Sequence, residues 1–244
     1  MGPGPQRPTT QSQVLVVAVA ILFAVLLLQR HVLTELLVIA FLVAIPSIIL
    51  HEVSHGFVAN LFGDDTAKRA GRLTLNPLAH VSLFGSLLLP AFLVLAGGIP
   101  FGFAKPVPVT VSKLRHPRNE SVIVALAGPA TNVALVAVAA IGFRLVVPPS
   151  VDFLTTAPLA TQIFYMLGLV NVALAIFNLI PIPPLDGSAV IERLLPPSWW
   201  SGYFRVRQMA APVLMLALFV LSFHSQAFNT LARWEQGIWN YFLP

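Results

Sequence analysis

His51 and His55 stand four residues apart, with Glu52 beside the first, in the stretch His51-Glu52-Val53-Ser54-His55. Residues four apart on a helix stack on one face, so the two imidazoles can share one metal ion while Glu52 lies next to them. That order of residue types suits zinc-dependent hydrolysis: two nitrogens bind zinc and a carboxylate takes a proton from the attacking water. The cluster is set in apolar sequence, with Ile45-Pro46-Ser47-Ile48-Ile49-Leu50 before it and Gly56-Phe57-Val58-Ala59 after it. Ionisable groups at membrane depth are costly and mark a functional site by default. The plainer reading is a satisfied pair of core histidines, but an unpaired buried Glu52 would then cost several kcal/mol with nothing to offset it.

Catalytic zinc takes three protein ligands and keeps a position open. Beyond Asp65 the only aspartates are Asp152 and Asp186. Asp152 follows a Pro-Pro-Ser turn between two apolar segments. Asp186 follows a proline-broken helix, where irregular backbone at membrane depth is tolerated only against protein or a water-filled cavity. Asp186 is therefore the better candidate, and a turn residue within Leu185-Asp186-Gly187 is its other reading. His80, after Asn76-Pro77, reads as a structural histidine capping a loop.

The elements that must position these groups are membrane helices. Of 244 residues 57% are hydrophobic and 9% charged, with a mean hydropathy of +0.85, against roughly one-quarter charged in soluble domains. Cysteine is absent, which excludes a disulfide framework, thiolate ligands and a cysteine nucleophile. The formal charge of +5 is scattered between apolar runs and reads as loop topology, not nucleic-acid affinity.

Residues 1–13, rich in Gly, Pro, Gln and Thr, are predicted to be a disordered tail. One membrane domain is expected over 14–223, with its core over 33–195, followed by an interfacial amphipathic tail over 224–244. Spanning helices are predicted over 14–28, 33–62, 121–147, 159–180 and 203–223. The first is read as retained, since Gln29-Arg30-His31 offers no small-residue cleavage site. Pro46 should bend or loosen the second just before His51. Residues 73–77 alternate briefly and suggest a short strand. Residues 83–98 are apolar but broken by Gly85, Pro90 and Gly97-Gly98. Trp199, Trp200, Trp234 and Trp239 fall near segment ends and read as interfacial anchors.

The motifs His51-Glu52-Val53-Ser54-His55-Gly56, Gly128-Pro129-Ala130-Thr131-Asn132, and Asn178 with Pro181 and Leu185-Asp186-Gly187 occur in the order found in site-2 proteases. Over 33–195 the chain resembles this family of intramembrane zinc metalloproteases. The resemblance implies a three-helix catalytic core, one zinc held by His51, His55 and Asp186, and Glu52 as general base. It also implies that Asn178 positions or polarises the substrate carbonyl; Asn132 matches a family position without a settled role. No stretch corresponds to the PDZ insertion or CBS pair of other members. The implied partners are the bilayer and transmembrane protein substrates, already trimmed by another protease, with no nucleic acid; residues 71–75 would hold the unwound segment by edge pairing.

If His51 and Asp186 share one zinc, their helices reach the same depth from the same side. The helix over 121–147 then runs the other way, and 83–104 must dip in and return or cross twice; Pro90 and Gly97-Gly98 favour the dip. With a cytoplasmic N-terminus, Lys68, Arg69, Arg72, Lys105, Lys113, Arg115, Arg118, Arg193, Arg205 and Arg207 lie inside, in accord with the positive-inside rule. The expected fold is an all-α polytopic membrane protein with about five transmembrane helices, a re-entrant hairpin and a short β element. It would sit in the plasma membrane with its site open to the cytoplasm. A zinc transporter or sensor and a non-catalytic binder of membrane helices are the rival functions.

Overall fold

A computed structural model describes residues 35–82, 85, 88, 89, 92, 93, 96, 104–146, 158–222 and 225–241. The predicted tail over 1–13, the first span over 14–28, Asp152 and most of the expected re-entrant element lie outside these residues.

Eight α-helices are described: α1 Glu35–Leu61, α2 Thr66–Arg69, α3 Pro77–His80, α4 Pro117–Val146, α5 Leu159–Leu179, α6 Ser188–Leu194, α7 Trp200–Ser222 and α8 Ser225–Tyr241. Three of them, α1 from Val38 onward, α4 and α5, are long and apolar enough to cross a membrane. With no water in hydrocarbon, a helix that meets its own backbone hydrogen bonds is the form such sequences must take. The protein is thus a mostly helical, integral membrane protein. Its three long helices all touch one another, α4 lying against both α1 and α5. Leu42, Ile45, Val133, Ile141 and Leu159 point outward from the group, as expected where the surroundings are lipid.

Several boundaries differ from expectation for local reasons. α4 begins a turn early because Pro117 loses no needed donor in the first turn and Glu120 accepts the His116 N–H at 2.8 Å. α1 runs as one helix with Pro46 inside it, five residues before His51. α7 forms, but it is not among the three helices apolar enough to span, since Arg205, Arg207 and Gln208 interrupt its first turns.

The expected short strand is absent, and no strand occurs among the described residues. The Thr74 carbonyl is taken by the His80 ring at 2.9 Å, and Asn76 caps α3 by accepting the Leu78 N–H at 3.0 Å. Backbone groups that a ladder would use are therefore spent within the loop. Buried Arg72 closes it by donating to the carbonyls of Ala79, Lys105 at 2.8 Å and Pro106 at 3.1 Å.

At the other end of the chain, Trp239 is not an interfacial anchor. It is fully buried with Val136, Ala139 and Val172, and its ring fills the space where a Cβ on Gly168 would stand. Trp199 and Trp234 are exposed, as expected.

Candidate metal centre

α1 presents His51 and His55 toward α4, one turn apart, with their rings nearly perpendicular at 84°. The approach is close because residue 128 is glycine: a Cβ there would overlap both imidazoles. After α5 the chain leaves helical form at Ile180, and the Asn178 carbonyl accepts the Gly187 N–H at 2.7 Å, folding the 178–187 loop back on the helix end. The fold-back brings Asp186 to the two histidines. Its Oδ2 lies 3.1 Å from His51 Nε2 and 3.4 Å from His55 Nε2, while the two Nε2 atoms are 3.1 Å apart. One ligand atom from each residue falls within 4.8 Å of the others.

The protonation of these atoms follows from their outer partners. His55 Nδ1 lies 2.7 Å from the Val124 carbonyl, which can only accept, so Nδ1 carries the hydrogen. For His51 the polarity is set three residues away in a buried row. The Leu167 carbonyl accepts from Asn171 Nδ2 at 2.8 Å, which turns Asn171 Oδ1 toward Asn132. Asn132 Nδ2 donates to it at 2.8 Å, so Asn132 Oδ1 faces His51 Nδ1 at 2.6 Å and must accept from it. Asn171 also donates to Ser47 Oγ at 2.9 Å, and Ser47 passes its hydrogen to the Val43 carbonyl at 2.7 Å. Ser47, Asn132 and Asn171 have essentially no exposure.

In the neutral imidazoles both Nε2 atoms therefore carry lone pairs that point at each other and at a carboxylate oxygen. Asp186 Oδ2 is buried and receives no hydrogen bond. A shared proton would satisfy one pair and leave the third group unmet; a cation satisfies all three. Two imidazole nitrogens and one carboxylate oxygen, each imidazole fixed by an outer acceptor, form a donor set of the zinc type.

The other predicted residues fall nearby or elsewhere. Glu52 is not in the converging set; its Oε2 accepts the Val107 N–H at 2.8 Å, from the 104–110 segment that crosses α1 beside Gly56. Asn178 donates its side-chain amide back to the Leu174 carbonyl at 3.0 Å. Asn132, without an assigned role in the sequence, touches His51 directly. His80 donates to a loop carbonyl and is apart from the cluster. Asn171 and Ser47 have no role in the motifs, and Arg72 counted there only as a basic loop residue; a second Asn, two turns before Asn178 in an apolar 21-residue helix, is the signal that points to Asn171.

Residues 150–222 match the model of Peptidase family M50. A Bacillus subtilis protein with the provisional name zinc metalloprotease YwhC is 42% identical over 157 residues, 63% of this chain and 67% of that protein. Proteins provisionally named zinc metalloprotease Rip2 are 33% identical in Mycolicibacterium smegmatis, over 70% of this chain and 63% of theirs, and in Mycobacterium tuberculosis, over 79% and 68%. The matches thus span about two thirds of these relatives' lengths. No solved structure gives a significant match.

Proposed function

The chain belongs to peptidase family M50, a family of zinc metalloproteases of the site-2 type, and from that premise we propose that it hydrolyses peptide bonds within or beside the transmembrane segments of other membrane proteins. His51, His55 and Asp186 hold one zinc ion. A zinc ion held there would supply the Lewis acidity that such hydrolysis needs, toward a carbonyl and toward water. Glu52 is the general base: its Oε2 is held by the Val107 N–H, leaving Oε1 to accept the proton of the attacking water and deliver it to the leaving amine. No covalent intermediate is required. Asn178, at the end of α5, spends one amide hydrogen on Leu174 and offers the second to the substrate carbonyl oxygen.

A substrate helix hides its amides in its own hydrogen bonds and must unwind locally before reaching these groups. Water reaches them from the cytoplasmic side, the side assigned by the distribution of basic residues. The observation that carries the reading is the convergence of His51 Nε2, His55 Nε2 and Asp186 Oδ2 on one point, with Glu52 the next residue after His51.

The test is zinc content and cleavage of a transmembrane substrate by the purified protein. Wild type is expected to hold about one zinc, His51→Ala and Asp186→Ala to hold none, and Glu52→Gln to keep zinc but lose cleavage. Transport or capture that survives Glu52→Gln, with no cleavage by wild type, would overturn the reading.

A further inference from the structure

At the Pro117 end of α4, away from the histidines, lies a cavity of about 350 Å3. Its walls are the 3-10 turn Val111–Lys113, the first turns of α4 and α7, and the end of α6. Three guanidinium groups, Arg118, Arg193 and Arg207, line it together with one carboxylate, Glu192. Glu192 Oε1 pairs with Arg207 Nη1 at 2.9 Å and accepts the Tyr203 hydroxyl at 3.1 Å, so the wall itself balances Arg207.

Arg118 and Arg193 are held differently. Arg118 Nη2 donates to the Arg193 carbonyl at 3.2 Å, and Arg193 Nε to Asn119 Oδ1 at 2.8 Å. Both acceptors are neutral, and no described carboxylate lies within ion-pair distance of either residue. Two positive charges are thus fixed in place by single hydrogen bonds, each keeping most of its five N–H donors. Paired guanidinium forks of this kind match the oxygens of a phosphate group.

Depth decides which phosphate. At 1.5 Å per residue the 30-residue α4 is about 45 Å long. A bilayer with its headgroups is about 40–45 Å thick. Arg118 and Arg144 stand near opposite ends of the helix, so the cavity lies at headgroup level, roughly 16 Å along the axis from Gly128 and the imidazoles. Exposed Leu194 and Val111 beside it offer an apolar surface. We propose that this cavity binds the phosphate of an anionic membrane phospholipid and so joins α4 to the short helix that follows Asp186.

The test uses the full chain in neutral detergent, with phosphatidylglycerol and phosphatidylcholine of identical acyl chains as probes, and inorganic phosphate as the soluble control. Native mass spectrometry measures the lipid retained, and thermal unfolding measures its effect. Wild type is expected to retain phosphatidylglycerol in preference to phosphatidylcholine and to unfold at a higher temperature with it. Arg118→Gln/Arg193→Gln is expected to bind phosphatidylglycerol roughly thirtyfold more weakly, the scale for two basic groups at an anionic surface, with an unchanged midpoint in detergent alone. Glu192→Gln removes the one opposing charge and is expected to tighten binding, so the proposal stays testable if the double variant folds poorly. Lys68→Gln/Arg69→Gln, an exposed basic pair elsewhere, is expected to change nothing. Equal retention of the two lipids, wild-type binding by the double variant, or an equal loss in the Lys68/Arg69 control would each overturn the proposal. A midpoint shift from inorganic phosphate with no lipid preference would overturn the lipid assignment.

Discussion

Asp64 and Asp186 are two inward-facing carboxylates of opposite character. Asp64, in the loop after α1, takes hydrogen bonds from the Thr66 N–H at 3.0 Å, the Thr66 hydroxyl and the Thr110 N–H at 2.5 Å. It is fully buried and its needs are met. Asp186 Oδ2 is buried as well but faces two lone pairs and no donor. A carboxylate surrounded by donors closes a loop, whereas one surrounded by acceptors requires a cation. The difference separates architecture from chemistry more cleanly than burial does: Asp64 is fully buried, and Asp186, with its side chain 23% exposed, still keeps Oδ2 out of solvent.

Replacing either member of the pair should break different things. Asp186→Ala, like His51→Ala, is expected to remove the zinc altogether, whereas Asp64→Ala should retain it; metal analysis of the purified variants decides, and zinc loss in both would erase the contrast. Glu52→Gln is expected to lower the cleavage rate by about 10²–10⁴-fold, the usual range for a general base, at unchanged zinc content. Asn171→Leu, which cuts the row that orients His51, should weaken zinc binding by about 10–100-fold in competition with a chelator. Ser47→Ala should do less, since the Leu167 carbonyl still orients Asn171.

The smallest effect belongs to Asp64. Its alanine variant is expected to lose about 1–3 kcal/mol of stability from donors left unpaired, seen as a lower unfolding midpoint. Burial alone would raise the pKa of Asp64, but the hydrogen bonds from Thr66 and Thr110 outweigh it and hold the carboxyl below its ordinary value of 3.8. The folded pKa is depressed, so its contribution is fully present above about pH 4 and fades as pH falls through the lower folded value. A midpoint that rises on acidification below pH 4 in wild type relative to Asp64→Ala would contradict the assignment.

Much of the site was legible because its residues carry chemistry in their spacing: His51 and His55 repeat at a helical turn, and Leu185-Asp186-Gly187 follows a run of prolines. The three long helices were legible as apolar runs. What spacing does not encode is contact across helices. Asn171 and Ser47 are 124 residues apart, and nothing in either local pattern names the other. Trp239 reads as an anchor because it falls near a segment end, yet its place was decided by the missing side chain of Gly168. The strand expected near Leu73 failed for a similar reason: alternation was present, but the Thr74 carbonyl had a closer claimant in His80. The matches to relatives add the family and leave these contacts to the structure.

The row from Leu167 to His51 also sets how this protein can change over generations. One residue inserted in α5 between Leu159 and Leu167 would turn Asn171 by about 100° around the helix axis, carrying its amide out of line with Asn132. Three or four inserted residues would nearly restore its direction. Length changes in α5 before Asn171 would therefore preserve the row best in steps of a helical turn. The rotational phase of α5, which supplies none of the three converging atoms, is thus part of what keeps their lone pairs directed at one point.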